Sequence, residues 1–231
     1  MPRIEISLSQ IRDNARILSE LYGQKGISIM GVSKAVIGEP SIVKAMIQGG
    51  ARFIADSRIE NIEKMKAAGI STRFVLLRTP LGQAESVVRS ADISLNTELD
   101  TLKKLSYYAK AGNKNHQVIV MVELGDLREG VMPDDLFEFI RQTISLSHIT
   151  IVGVGCNLAC YGGVKPDDQN MQTPGLQKLV HCVPYRSSNR TTNQPENPCR
   201  QGKAFSLLRH PPCDQGHPGG PAHHRLLSAA W

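Results

Sequence analysis

The sequence predicts an α/β protein: an incomplete (β/α) barrel of the TIM type, with about six βα units over residues 1–172 and an irregular tail over residues 173–231. Short apolar runs alternate with segments of helical periodicity, which favours parallel strands joined by crossover helices. A chain of 231 residues with 41% hydrophobic content can also bury one substantial core. A complete barrel has eight such units, of which this sequence pattern supplies six.

The first helix is predicted to begin at the capping box Ser7-Leu8-Ser9-Gln10, in which two side chains reciprocally satisfy free backbone N–H groups. Apolar residues follow at helical spacing as far as about Tyr22. Gly23 is expected to end the helix.

The remaining elements follow in regular order. Residues 27–32 form an apolar run short enough for a strand buried on both faces. The next helix starts at Pro40, where a missing N–H costs nothing, and stops at Gly49-Gly50. Further strands are predicted over residues 52–55, 73–77, 93–95, 118–122 and 149–154. The helices between them are predicted over residues 59–68, 84–88, 99–111 and 134–144, the last entered through Pro133.

The composition changes beyond Met171. No Ile or Met follows, and eight of the 13 prolines and five of the 7 histidines lie there. From Pro174 onward seven basic residues face two acidic ones, so the tail carries most of the net charge of +6. Its prolines remove the donors that a central strand needs. We hypothesise that the chain is read in the wrong frame, or joined to unrelated sequence, after a point near Gln172, which the coding DNA would decide.

Composition also excludes several classes of protein. No run approaches the roughly 20 apolar residues that span a bilayer, and the first residues lack the apolar core of a secretory signal, so a soluble cytoplasmic protein is expected. The five cysteines show no CxxC pair, which predicts reduced thiols and no metal site. The basic tail has few aromatics and no binding motif, so no nucleic-acid partner is expected.

A lysine follows the first predicted strand in Gly31-Val32-Ser33-Lys34-Ala35. By itself such a lysine is more often a solvated loop charge. The segment, however, resembles the first-strand end of the alanine racemase N-terminal-domain family, whose lysine binds pyridoxal 5'-phosphate (PLP) as a Schiff base. The resemblance implies that Lys34 is both the cofactor-binding and the catalytic residue, and a primary amine is the side chain that this chemistry requires.

The resemblance extends along the chain. Asp56-Ser57-Arg58-Ile59-Glu60-Asn61 and Ser94-Leu95-Asn96-Thr97-Glu98 look like the branch that contains ornithine racemase and related amino-acid racemases. Residues 122–130 are similar to the fifth-strand motif, which implies that Arg128 lies near the cofactor or the substrate carboxylate. Residues 153–160 resemble the sixth-strand motif and put Asn157 near the pyridine ring, where many relatives carry a histidine. Arg78 also ends a strand and ranks below Arg128.

The resemblance implies a PLP-dependent amino-acid racemase in which Lys34 exchanges the substrate α-proton while PLP acts as electron sink. A basic amino acid is the expected substrate, and the acid that recognises its distal amine stays open among Asp56, Asp126 and Glu129. The acid on the opposite face stays open between Cys160 and Tyr161. No glycine- and serine-rich segment for the cofactor phosphate is found in the tail.

Two alternatives remain at this point. The chain also resembles the single-domain PLP-homeostasis proteins, which bind the cofactor without turnover. Six strands without a phosphate cradle are also compatible with an inactive truncated family member. Family members of one- and two-subunit types exist, so a homodimer is allowed.

Overall fold

The computed structural model describes residues 4–158, Val164 and Leu227–Ser228 as an alternation of helices and parallel strands. The helices are α1 Leu8–Gly23, α2 Pro40–Gln48, α3 Ile59–Ala67, α4 Ala84–Ser90, α5 Leu99–Ala111 and α6 Leu136–Ile144. The strands are β1 Met30–Val32, β2 Phe53–Asp56, β3 Arg73–Leu76, β4 Ile93–Asn96, β5 His116–Val122, β6 Ile149–Cys156 and β7 Leu227–Ser228. They pair in the order β1-β2-β3-β4-β5-β6-β7, and every pairing is parallel.

The sheet has the architecture predicted for six βα units, and over the described residues it is open. β1 and β7 are its two edges. β7 is a two-residue strand beside β6. The rest of the predicted tail lies outside the described residues, so its separation from the barrel stays a prediction. No helix of the described part is long and apolar enough to cross a bilayer.

Several boundaries differ from the sequence prediction by one to three residues, and the starts of β1 and α6 have a physical explanation. β1 starts at Met30, three residues later than expected, and it is half-buried, so the expectation of burial on both faces is wrong. The reason is its place at the sheet edge, with a neighbouring strand on one side only. α6 starts at Leu136, because Pro133 and the two residues after it form a turn in which the Asp135 N–H donates to the carbonyl of Met132.

Helix α1 begins as predicted, with Ser7 as N-cap. The Ser7 hydroxyl accepts a hydrogen bond from the Gln10 N–H at 3.4 Å, which is one half of the capping box. The helix then packs on α2 at Gly49. A Cβ built on that glycine would lie 2.4 Å from the carbonyl oxygen of Arg12 and 2.5 Å from the Cβ of Ala15. The glycine therefore permits the close approach of α1 to the barrel.

The two faces of the sheet are both apolar, which is typical of parallel sheets. One face packs against α2 to α5 and contributes Ile54, Phe74, Leu76 and Val118 to the larger core cluster. The opposite face corresponds to the interior of a barrel. Its cluster consists of Phe53, Ala55, Val75, Leu77, Ile93, Ile119 and Met121.

A buried polar network joins β4 and β5 on the helix-covered face. His116 is 3% exposed and its Nε2 lies 2.8 Å from the Ser94 hydroxyl. The Asn96 amide donates to that hydroxyl at 2.9 Å and to the Ser94 carbonyl at 3.0 Å. Burial lowers the pKa of His116 from 6.5 to about 4, although the nearby charge of Asp92 opposes this shift. The imidazole is therefore neutral at neutral pH.

The buried His116 is expected to make folding stability pH-dependent. Between pH 4 and 6.5 the unfolded chain binds a proton that the folded chain does not, so the free energy of unfolding rises with pH over this window. The full contribution, about 3 kcal/mol, is present above pH 6.5 and is lost as the pH falls towards 4. Urea unfolding at several pH values measures it. His116→Asn should flatten the profile in this window, and an unchanged slope in that variant would contradict the assignment.

Candidate active site

The residues singled out from the sequence lie at the end of the sheet that is formed by the carboxyl ends of the strands. Lys34 follows β1, Arg78 follows β3, Arg128 lies in the loop after β5, and Asn157 follows β6. Because all these strands are parallel, their carboxyl ends lie at the same end of the sheet, which is where barrels place their active sites. β1 and β5 are separated by three strands, so Lys34 and Arg128 belong to opposite sides of this open sheet.

Lys34 is exposed and opens a short 3-10 turn, Lys34–Val36. Ser33, the residue before Lys34, is held in place by hydrogen bonds to β2. The Ser33 hydroxyl donates to Asp56 Oδ2 at 2.7 Å, while Asp56 Oδ1 accepts from the Arg58 N–H at 3.0 Å and the Asn61 amide at 2.9 Å. Both Ser33 and Asp56 are fully buried. The network anchors the end of β1 to β2 and α3, and it engages both oxygens of Asp56.

Glu129 contacts three side chains at the carboxyl ends of the strands, those of Arg78, Arg128 and Asn157. Its Oε2 accepts a hydrogen bond from Arg78 Nε at 2.9 Å. Its Oε1 accepts one from the Asn157 amide at 3.0 Å and lies 3.1 Å from Arg128 NH2. The Glu129 side chain is 18% exposed, so these partners compensate its charge in a partly desolvated setting. Arg128 and Asn157 were each expected near the cofactor, whereas the contact of Glu129 with both was not expected.

The loop after β5 that carries Arg128 is folded back on its own strand. The Glu123 carboxylate accepts hydrogen bonds from the N–H groups of Gly125 at 2.6 Å and Leu127 at 3.0 Å. Gly125 has a φ of 114°, a conformation that favours glycine. Farther along, the Val131 N–H donates to the Met121 carbonyl, and the Glu123 N–H donates to the Val131 carbonyl. The loop is thus held at both ends.

An open cavity lies at the carboxyl ends of β3, β4 and β5. Leu77, Leu95 and Met121 give it an apolar wall. Its charged lining residues are Arg78, Glu98 and Glu129. Glu98 is the N-cap residue of α5, but its side chain makes no capping hydrogen bond. Glu98 lies two residues beyond the end of β4, and that position in the sequence was the signal for a role at this end of the sheet.

Cys156, the cysteine in the described part of the chain, is not suited to act as a base at this site. Burial, and secondarily the charge of Glu123, raises the pKa of the Cys156 thiol, so this free cysteine stays protonated and is a poor base. Cys160 and Tyr161, the two candidates for the opposite-face acid, lie outside the described residues.

Comparison with known proteins places this arrangement in a family. Residues 6–196 match the family described as alanine racemase, N-terminal domain. The chain belongs to this family. Two curated members are ornithine racemase of Acetoanaerobium sticklandii and lysine racemase of Thermotoga maritima. They are 45% and 35% identical to the chain over 172 residues, which are 74% of this chain and 48% of each relative.

Solved structures show the fold of the family. The alanine racemase from a D-cycloserine-producing Streptomyces lavendulae superimposes with a TM-score of 0.63 at 19% identity, covering 74% of this chain and 46% of that one. The predicted family and its TIM-type barrel architecture are confirmed, with the sheet open over the described residues. The chain spans about half the length of the curated relatives that it matches.

Proposed function

We propose that this chain is a PLP-dependent amino-acid racemase domain that acts on basic amino acids, with Lys34 as the residue that holds the cofactor. The observation that carries the proposal is the exposed amine of Lys34 at the carboxyl end of β1, in a chain that is 45% identical over 172 residues to a protein named ornithine racemase. The proposal includes a cytoplasmic protein, as small-molecule amino-acid metabolism implies, and a homodimer, which the molar mass in solution tests.

The chemistry of the described residues fits the aldehyde and ring of PLP. Lys34 supplies a primary amine that solvent reaches. Arg128 supplies a planar guanidinium suited to an anionic oxygen, and Asn157 supplies an amide. The hydrogen bonds of Glu129 to Asn157 and its ion pair with Arg128 support a shared placement of these two groups. The described residues stop short of the loops after the last strands, where the family resemblance puts the phosphate contacts.

Each residue then has a chemical role. PLP, when bound, supplies an electron sink that makes the substrate α-proton acidic. Lys34 Nζ would hold the cofactor before the substrate binds; once the substrate amine has taken its place, the released Nζ would carry that proton on one face of the substrate. Arg128 donates hydrogen bonds to an anionic group of the cofactor or the substrate carboxylate. Glu129 is a positioning residue for Arg128 and Asn157. Inversion needs a proton from the opposite face, for which Cys160 and Tyr161 remain the candidates.

Racemisation in deuterated water tests this function. The full chain, supplied with PLP, is incubated with one enantiomer of ornithine, lysine or alanine, and the products are separated on a chiral column. We expect both loss of enantiomeric purity and incorporation of solvent deuterium at Cα, fastest for ornithine and lysine. Free PLP at the same concentration is the control. A chain that binds PLP covalently and leaves every enantiomer unchanged would contradict the racemase and favour a cofactor-binding protein.

A further inference from the structure

The cavity at the carboxyl ends of β3, β4 and β5 has an apolar wall and a net charge that suit the side chain of a basic amino acid. Leu77, Leu95 and Met121 offer apolar surface for a chain of methylene groups. The formal charge of its lining is one positive (Arg78) and two negative (Glu98, Glu129), a net charge of −1. An aliphatic chain that ends in an ammonium group matches both properties.

The two carboxylates of the cavity are not equivalent. Glu129 already accepts from Arg78 and Asn157 and pairs with Arg128, so its charge is compensated. Glu98 is exposed, and among the described residues its carboxylate makes no hydrogen bond or ion pair. Glu98 is therefore the carboxylate that a ligand cation meets without displacing an existing partner.

A buried acceptor beside the cavity favours a cation over an anion. Asn96 lines the cavity and is 3% exposed, and its Oδ1 is buried without a hydrogen-bond partner within the described part of the chain. The orientation of the amide is fixed, because its nitrogen donates to the Ser94 carbonyl, which can only accept. The amide oxygen therefore lies on the side away from Ser94 and is a buried acceptor that attracts a hydrogen-bond donor rather than an anion.

The remaining acids that the sequence left open fit this role less well. Asp56 is fully buried, and both of its oxygens are bonded to Ser33, Arg58 and Asn61. Asp126 is 4% exposed and does not line the cavity. The acid that suits the distal amine of a basic substrate is therefore Glu98, which was not among the three candidates.

We infer that Glu98 is a specificity-determining residue that binds the distal ammonium group of a basic amino acid, with the methylene chain against Leu77, Leu95 and Met121. The inference rests on the proposed function for the class of ligand, but not on turnover. An exposed ion pair is worth up to about 1 kcal/mol, so Glu98 is expected to favour a substrate with a distal amine by about fivefold.

The test compares L-ornithine with L-norvaline, which has the same side-chain carbon skeleton without the distal amine. Each is titrated into the isotope-labelled full chain, and the backbone amide shifts of Thr79, Thr97 and Thr101 report binding at the cavity. We expect ornithine to bind about fivefold more tightly than norvaline. Glu98→Gln should remove that preference by weakening ornithine while leaving norvaline unchanged.

Glu85→Gln is the matched control, because Glu85 is likewise an exposed glutamate at the start of a helix but lies outside the cavity. It should keep the wild-type preference. The inference is overturned if Glu98→Gln keeps the preference for ornithine, if Glu85→Gln loses it equally, or if ornithine does not shift the cavity amides at tens of millimolar. Failure of the proposed racemase would look different: cavity binding would persist while ornithine stayed enantiopure in the presence of PLP.

Discussion

Replacing Lys34 with alanine is expected to abolish covalent PLP binding and, with it, all racemisation. The reason is chemical: only a primary amine forms a reducible carbon–nitrogen bond with the cofactor aldehyde, and Lys34 is the exposed amine at the carboxyl end of β1. The measurement is borohydride reduction of the PLP-treated full chain, followed by peptide mass spectrometry. The wild-type protein should carry its pyridoxyl group on the peptide that contains Lys34.

Two further variants make this experiment specific. Lys34→Arg keeps the positive charge but cannot form the bond, so it should lose the adduct as completely as Lys34→Ala. Lys44→Ala removes another exposed lysine, on the outer helix α2, and should label like the wild type. A pyridoxyl group spread over many lysines, or retained after Lys34→Ala, would show that the site is not selective and would refute the assignment of Lys34.

The adduct also separates the alternatives that the sequence left open. Selective labelling of Lys34 with racemisation supports the racemase. Selective labelling without racemisation supports a cofactor-binding protein of the homeostasis type. A folded chain that takes up no PLP indicates an inactive family member, because the described residues then lack groups that the complete site needs. Labelling and racemisation, measured on separate portions of one protein preparation, therefore decide among the three alternatives.

Much of the fold could be predicted from local pattern. The period of the apolar residues and the Pro and Gly positions at helix ends were enough to order six strands and six helices, and α2 begins at Pro40 as expected. The burial of β1 could not be predicted in this way. Burial depends on which strand pairs on the far side, and β1 is an edge strand in this sheet.

The places of the candidate site residues relative to the strands could be predicted, but their side-chain partners could not. Lys34, Arg128 and Asn157 follow strand ends, and that placement can be inferred from the alternation alone. Two of the three partners of Glu129, Arg78 and Asn157, lie 51 and 28 residues away in the chain, so no local pattern indicates them. Asp56, one of the acids considered for the distal amine of the substrate, is bonded at both oxygens in the structure, and its partner Ser33 lies 23 residues away in the chain.

Gly130→Ala is expected to destabilise the fold by at least about 3 kcal/mol. A Cβ on Gly130 would lie 2.2 Å from the Glu123 nitrogen and 2.5 Å from the Val122 carbonyl carbon. Both are backbone atoms of the β5 end, so the clash cannot be relieved by turning a side chain. Moving the loop instead would break the two hydrogen bonds that Val131 makes with Met121 and Glu123.

Urea unfolding followed by far-ultraviolet circular dichroism measures this effect, with Gly82→Ala as the matched control. A Cβ on Gly82 meets nothing within 4 Å in the described structure, and the residue is exposed in a short 3-10 turn, so that variant should stay within about 0.5 kcal/mol of the wild type. Because the loop between β5 and Gly130 also sets the position of Arg128, any folded fraction of Gly130→Ala should bind PLP more weakly. Equal stabilities for the two alanine variants would mean that the loop does not lie against β5, and the proposed placement of Arg128 and Glu129 would fall with it.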